Sequence, residues 1–156
     1  MKVLAVVGYR NSGKTTLVER IVSHLTPEAT VGTVKSIHHD IEIDTPGKDT
    51  FRHREAGADS VTGITPSVRF SISPTQESKV TVLRDTLNER SRDGFDVVVV
   101  EGFKGVGLPH VAVGDIPGDA VEGTRLLAVD SVESVDENAI DSVLDDVPDW
   151  SEGRES

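Results

Sequence analysis

Residues 8–15 have the types and the spacing of a phosphate-binding loop. They read G-Y-R-N-S-G-K-T and match the pattern G-x-x-x-x-G-K-[ST] at every fixed position. Gly8 and Gly13 permit backbone angles at which successive amides turn inward around an anion. In this pattern Lys14 is expected to supply a charge for the β- and γ-phosphates, and the Thr15 hydroxyl can ligate Mg²⁺. The pattern predicts a nucleoside triphosphate site whose loop contacts are Gly8, Asn11, Ser12, Gly13, Lys14, Thr15 and Thr16.

A second candidate, Glu101, follows the most apolar run in the chain, F-D-V-V-V-V at 95–100. Phosphate-loop proteins keep an acid for Mg²⁺ and its water shell at the end of such a buried strand. We therefore predict that Glu101 is the catalytic residue, which holds the metal directly or through water, or orients an attacking water. The alternative is an ordinary acid at a strand end.

The polar segment 44–49, D-T-P-G-K-D, is expected at the same edge of the sheet. Asp44 or Asp49 would reach Mg²⁺ and Lys48 a phosphate, but a turn followed by a helix cap explains the same residues equally well. His38 and His39 suggest a zinc site only weakly. Adjacent residues of an extended chain point to opposite faces, and no third ligand stands at a telling spacing.

The elements that must position these residues alternate along the chain. Val3–Val7 predicts a strand, and the apolar stripe from Leu17 to Leu25 predicts the helix after it. Further strands are predicted at 30–35, 60–65, 67–73, 95–100, 110–113 and 126–129. Further helices are predicted from a cap at Asp49 or Thr50 to Gly57, from a capped start at Ser73 to Gly94, and from a capping box at 134–137.

This alternation predicts a three-layer α/β phosphate-loop NTPase fold with a mainly parallel sheet, whose ligands bind at the carboxyl ends of the strands. Residues 1–150 are expected to form one nucleotide-binding domain, and 151–156 a frayed tail. The 156-residue chain has no cysteine, no signal peptide and no stretch long enough to cross a membrane, so we expect a cytoplasmic protein without membrane contacts.

The net charge is −11, which disfavours binding to nucleic acid. The imbalance is steepest at 115–156, where 13 acidic residues stand against Arg125 and Arg154. Because these charges are dispersed among apolar positions, they indicate a surface solvated at high salt more than an acidic docking surface for a basic partner.

Four segments together resemble the family of molybdopterin-guanine dinucleotide biosynthesis protein B. They are the loop at 8–15, V-K-S-I-H-H-D at 34–40, D-T-P-G-K-D-T-F-R-H-R-E-A-G-A at 44–58, and V-V-V-V-E-G-F-K at 97–104. The resemblance implies a small GTP-binding protein with weak GTPase activity, usually a homodimer. Such a protein assists the guanylyltransferase that joins GMP to molybdopterin. It further implies GTP and Mg²⁺ as cofactors, with Glu101 and Asp44 near the metal.

The chain departs from that family at two places. Ser36 stands where the family often has the first His of Lys-His-x-His-His, and the guanine-reading pattern N-K-x-D is missing. GTP is therefore implied by the resemblance alone, and Asp130 is only a candidate contact for the base. Two other functions stay open: a small kinase or ligase of the dethiobiotin synthetase type, and a metallochaperone GTPase that uses His38 and His39.

Overall fold

The apolar runs of the sequence form the strands of one parallel sheet. Its strands are β1 (Lys2–Gly8), β2 (Val31–Lys35), β5 (Val97–Glu101), β6 (His110–Val113) and β7 (Arg125–Val129). Their order is β2-β5-β1-β6-β7, and every neighbouring pair is parallel. All five strands therefore end at the same edge of the sheet.

The computed structural model describes residues 1–151, and most of the predicted tail at 151–156 lies outside them. Two compact units make up the chain. The first contains residues 1–36 and the described residues from 79 onward; the second is Ile37–Ser78. Besides the sheet, the first unit holds helices α1 (Lys14–Leu25), α3 (Lys79–Arg92) and α4 (Glu137–Asp146). The second holds helix α2 (Asp49–Glu55) and strands β3 (Val61–Ile64) and β4 (Arg69–Ile72).

Strand β1 supplies side chains to both faces of the sheet. Leu4 and Val6 pack in a core with residues of α1 and α4, whereas Val3, Ala5 and Val7 pack in a second core with residues of α3. Successive side chains of a strand point to opposite faces, so one apolar strand serves two helical layers. The prediction of a three-layer α/β fold with a parallel sheet is confirmed.

In the second unit, β3 and β4 form an antiparallel two-stranded sheet with Gly63 opposite Phe70. A Cβ on Gly63 would lie 2.3 Å from the Phe70 ring, so the ring occupies the space that a side chain at position 63 would need. The hydroxyls of Thr62 and Ser71 are 2.7 Å apart, one on each strand. These contacts fix the register of the pair.

The structure corrects two predicted helix starts. Helix α3 begins at Lys79 and not at Ser73, because the Ser73 hydroxyl donates to Ser60 (3.0 Å) and the Thr75 hydroxyl accepts from the nearby Glu77 amide (3.1 Å). Helix α4 has Asp136 as its N-cap, accepting from the Ala139 amide at 2.8 Å. The predicted capping box fails because Ser134 ends a short 3₁₀ turn and its hydroxyl donates to the Ser131 carbonyl oxygen.

The predicted cap of α2 is also wrong. Lys48 is the N-cap and makes no side-chain capping bond, while Asp49 is the first helical residue. An acidic side chain in the first turn still stabilises the helix, through its dipole. Gly57 follows the end of the helix with φ = 97°, as predicted for a glycine that terminates it. Among residues 1–151, no helix is long and apolar enough to cross a membrane.

Candidate nucleotide-binding site

The phosphate loop joins β1 directly to α1. A Cβ on Gly8 would lie 2.5 Å from both the Val113 carbonyl oxygen and the Ser12 hydroxyl, so only glycine fits between β1 and β6 at this point. Asn11 (φ = 61°) and Gly13 (φ = 92°) adopt left-handed backbone conformations. Glycine does so without strain, and asparagine tolerates it better than most residues. The backbone thus curls over the end of β1, as the glycine spacing predicts.

Helix α1 points its N-terminus into this loop. Gly13 is the N-cap and provides no side-chain acceptor for the first amides, and the first turn contains no acidic residue. Helix dipoles and free amides at such an end attract anions. The Ser12 hydroxyl is buried and has no hydrogen-bond partner within residues 1–151. A buried polar atom of this kind calls for a ligand or a water molecule.

Lys14 folds back over the loop, where its ammonium donates to the Tyr9 carbonyl oxygen. The pKa of Lys14 is lowered, and burial is the largest cause. The negative charge of Glu101 opposes this shift, whereas the positive charges of Lys104 and Lys35 add to it. The ammonium is thus partly desolvated, which strengthens its attraction for a phosphate. The Lys14 ammonium therefore lies within the loop, where it is predicted to supply a positive charge for the phosphates.

Glu101 meets the loop through Thr15. The Thr15 hydroxyl is 3.2 Å from Glu101 Oε1 and 3.1 Å from Oε2, and the Glu101 side chain is only 12% exposed. Lys35 is the third member of the group, with its Nζ 3.1 Å from Oε1 and 3.3 Å from Oε2. The structure therefore brings Thr15 and Glu101, two of the three residues predicted to hold the metal, into direct contact.

Lys104 reaches the loop because the chain reverses after β5. Gly102 (φ = 96°) and Phe103 (φ = 56°) both have left-handed conformations, the second unusual for an aromatic residue. Lys104 Nζ then lies 4.4 Å from the centre of the Tyr9 ring. Such a contact between a cation and an aromatic face is attractive. The sequence does not predict this pairing, since it depends on backbone angles that the residue types do not specify.

The site carries a local positive charge on an acidic protein. Lys14, Lys35 and Lys104 contribute three positive charges and Glu101 one negative charge, which leaves +2 in a chain of net charge −11. A nucleoside triphosphate carries several negative charges, so the sign is complementary. Serine, threonine and carboxylate oxygens are the hard ligands that Mg²⁺ prefers. The residues present therefore fit a Mg²⁺-nucleotide.

Three further residues were predicted to contact the metal, the phosphates or the base. Asp44 and Lys48 belong to the second unit, where the Asp44 carboxylate accepts from the Thr45 amide at 2.8 Å. Their predicted contacts with metal and phosphate stay predictions, as does the base contact of Asp130 at the end of β7. Across residues 1–151, no three His, Asp or Glu side chains, His38 and His39 included, gather as a set that could hold a metal ion.

Comparison with known proteins decides the family. The profile described as "Molybdopterin guanine dinucleotide synthesis protein B" (MobB) matches residues 3–129. The chain belongs to the MobB family. A Methanocaldococcus jannaschii protein, named as a molybdopterin-guanine dinucleotide biosynthesis adapter protein, is 37% identical over 106 residues, 67% of this chain and 42% of that protein. A Haemophilus influenzae adapter protein of the same name is 35% identical over 109 residues, 69% of this chain and 60% of that protein.

The chain thus aligns with less than two thirds of the length of either relative. The crystal structure of a MobB homologue from Bacillus stearothermophilus superposes with a TM-score of 0.59 at 28% identity, covering 82% of this chain and 78% of that one. The family match spans β1 to β7, including the loop, Lys35, Glu101 and Lys104. The contacts of Lys14, Lys35, Glu101 and Lys104 at the site therefore lie within the part of the chain that the family model matches.

Proposed function

We propose that the protein is a GTP-binding adapter with weak GTPase activity in molybdopterin guanine dinucleotide biosynthesis. Its proposed partner is the molybdenum cofactor guanylyltransferase, and its proposed place of action is the cytoplasm, where GTP is available. The observation that carries the proposal is the contact of Thr15 with Glu101 beside the loop that holds Lys14. Membership in the MobB family and the names of its relatives supply the pathway.

The proposal assigns roles in phosphate binding, metal binding and water orientation to the residues of the site. The loop amides and Lys14 bind the β- and γ-phosphates, while Thr15 and Glu101 hold Mg²⁺, which when bound neutralises charge on the phosphate oxygens. Glu101 also orients the water that attacks the terminal phosphate. Lys48 and Asp44 are proposed to contact phosphate and metal when nucleotide is bound, so that residues 1–150 act as one nucleotide-binding domain.

Titration calorimetry with Mg²⁺ and GTP, GDP or ATP tests the proposal. The wild-type protein is expected to bind GTP, and Lys14→Ala to weaken that binding about a hundredfold or more, because charge-assisted bonds to phosphate are strong. Arg90→Gln is a matched control, since Arg90 is a cation that pairs with Asp93 near the end of α3. Near-native affinity in Lys14→Ala, with thermal unfolding unchanged, would remove the phosphate-loop assignment.

Kinetics distinguish the alternatives. The adapter is expected to hydrolyse GTP slowly when alone, below about one turnover per second, the low end for enzymes. A kinase or ligase of the dethiobiotin synthetase type would instead turn over rapidly with a small acceptor. A metallochaperone would bind a metal ion stoichiometrically and lose it when His38 and His39 are changed.

We also propose that the protein is a homodimer that associates through the second unit. Its hairpin exposes Ile64 (79%), Val68 (57%) and Phe70 (38%), and a two-stranded sheet leaves one edge of β3 and one of β4 without a sheet partner in the described chain. Exposed apolar side chains beside open strand edges favour pairing with another strand. Val68→Asp is expected to convert the dimer to monomer in analytical ultracentrifugation, whereas a wild-type monomer would contradict the proposal.

A further inference from the structure

The Glu101 carboxylate is shared between a hydroxyl and an ammonium. Thr15 donates from α1, and Lys35 Nζ lies within 3.3 Å of both carboxylate oxygens from the end of β2. The proposed function assigns Thr15 and Glu101 to the metal. It assigns nothing to Lys35, although Lys35 pairs with the carboxylate that would bind Mg²⁺.

The backbone holds Lys35 and Glu101 side by side. They are register partners in the parallel pair β2–β5, and the Ser36 amide donates to the Glu101 carbonyl oxygen at 2.9 Å. The Lys35 side chain is nevertheless 55% exposed, against 12% for Glu101. The carboxylate is therefore fixed in place, whereas the ammonium lies at the end of a flexible four-carbon chain that can turn away.

All three lysines of the site have a partner within the protein. Lys14 donates to the Tyr9 carbonyl oxygen, Lys104 lies over the Tyr9 ring, and Lys35 pairs with Glu101. Of these three partners, only Glu101 carries a negative charge, and carboxylates are preferred ligands of Mg²⁺. A metal ion bound by Glu101 would compete with the ammonium of Lys35 for the same carboxylate.

We propose that Lys35 senses the terminal phosphate of the bound nucleotide. The Lys35 ammonium, which pairs with Glu101, would move to the oxygens of the γ-phosphate when the carboxylate binds Mg²⁺. This inference rests on the proposed function, because it requires that the loop bind a Mg²⁺-nucleoside triphosphate. Lys35 then favours triphosphate over diphosphate, whereas Lys14 is needed for both.

The substitution Lys35→Met tests this with two opposite effects. Without the γ-phosphate contact, the preference for GTP over GDP is expected to fall about tenfold, in line with the loss of one charge-assisted bond. Without a competitor for Glu101, the Mg²⁺ concentration that gives half-maximal GDP binding is expected to fall as well. A merely structural role for Lys35 would weaken both nucleotides and raise the Mg²⁺ requirement.

Two further variants sharpen the result. Lys35→Arg keeps the charge and is expected to keep most of the preference for GTP. Glu101→Gln releases Lys35 from its partner, so the preference for GTP should persist there, whereas a role of Lys35 exercised only through Glu101 would abolish it. Arg90→Gln, which removes a cation that pairs with Asp93 and lies over the Phe95 ring, is expected to match the wild type in nucleotide affinity, GTP preference and Mg²⁺ requirement.

The outcomes distinguish a failure of the proposed function from a failure of the role of Lys35. If wild-type protein fails to bind GTP with Mg²⁺, the proposed function is wrong and the role of Lys35 falls with it. If the wild type binds GTP and Lys35→Met retains both the GTP preference and the Mg²⁺ requirement, only the role of Lys35 is overturned. Thermal unfolding of each variant shows whether it is folded, and Lys35→Gln, which also removes the charge, supplies the same test should Lys35→Met not fold.

Discussion

Glu101 contacts two groups of different chemistry, and removing its charge is expected to affect hydrolysis and binding unequally. In Glu101→Gln the amide keeps the shape of the side chain but loses the charge that would hold Mg²⁺ and position water. Such a group acts mainly on the transition state, so GTP turnover is expected to fall about tenfold or more, while GTP affinity changes less. Single-turnover kinetics and calorimetry on the same preparation measure the two quantities. Equal losses in both would reassign Glu101 to a structural role.

His110 is expected to make the stability of the protein depend on pH. It is 1% exposed on β6, its Nδ1–H donates to the Leu108 carbonyl oxygen at 3.1 Å, and Nε2 has no partner within residues 1–151. Burial lowers the pKa of His110 from 6.5; the bond to Leu108 opposes this, and the charge of Arg125 adds to the lowering. Below pH 6.5 the unfolded chain therefore binds a proton at this histidine more readily than the folded chain does. The free energy of unfolding is expected to decrease as the pH is lowered.

His24 provides a matched control of opposite sign. Its hydrogen bond to Asp141, 2.7 Å from Nε2, raises the pKa of His24. Its contribution is present below pH 6.5 and is lost as the pH rises through the raised pKa. Urea unfolding between pH 5 and 8 is expected to show a shallower decline towards acid in His110→Leu and a steeper one in His24→Gln. Unchanged profiles in both variants would contradict these assignments.

At the scale of elements, the junction between β1 and the loop depends on one glycine. A methyl group on Gly8 would lie 2.5 Å from the Val113 carbonyl oxygen, a backbone atom that cannot rotate away. Gly8→Ala is therefore expected to destabilise the protein by about 1–3 kcal/mol, the usual cost of overpacking, and to weaken nucleotide binding. Gly118→Ala is the control, because in the described chain a methyl group there would meet nothing within 4 Å beyond its own neighbours in sequence. Denaturant unfolding compares the two, and equal stability would show that β6 yields to the methyl group.

The strands and the helix starts differ in how well the sequence predicts them. Runs such as Val97–Val100 are buried on both faces, so composition alone identifies them, and Glu101 and Lys35 meet because both end parallel strands. The predicted start of α3 is wrong because Ser73 has the type of a cap but bonds to Ser60, thirteen residues earlier. A local pattern cannot show that a distant partner competes for the same hydroxyl.

The same distinction holds within the site. Residue types at fixed spacings predict the phosphate-binding loop, and the apolar run before Glu101 predicts that residue as part of the site. The structure brings Thr15 and Glu101 into contact. The approach of Lys104 to Tyr9 follows from the left-handed angles of Phe103, which no pattern predicts. The roles of Asp44 and Lys48 remain predictions, since these residues belong to the second unit.

On the scale of the whole molecule, the acidic surface contrasts with the lysines of the site. A net charge of −11 repels free nucleotides at long range, whereas Lys14, Lys35 and Lys104 attract phosphate at short range. Salt screens exposed charges over about 8 Å at physiological ionic strength, so the distant repulsion is weakened most. An acidic protein of this kind can still bind an anionic ligand if the site concentrates its cations.

If the bound nucleotide switches the proposed adapter, it must change the affinity of the protein for its partner. Phosphoryl transfer depends on positioned positive charge, which a partner can supply in trans. We expect the molybdenum cofactor guanylyltransferase to form a complex with this protein whose dissociation constant differs at least about fivefold between GTP and GDP. Surface plasmon resonance with the partner immobilised, run with each nucleotide and Mg²⁺, measures the difference.

Lys35→Met serves as the internal control for that experiment, because it is expected to reduce the difference between GTP and GDP without removing nucleotide binding. Lys14→Ala should abolish the difference by preventing binding altogether. A ligand with equal affinity for two states shifts neither, so a partner affinity that ignores the nucleotide would rule out the switch. The protein would then remain a nucleotide-binding member of its family whose association with the enzyme is constitutive, and GTP would serve a purpose other than control of that complex.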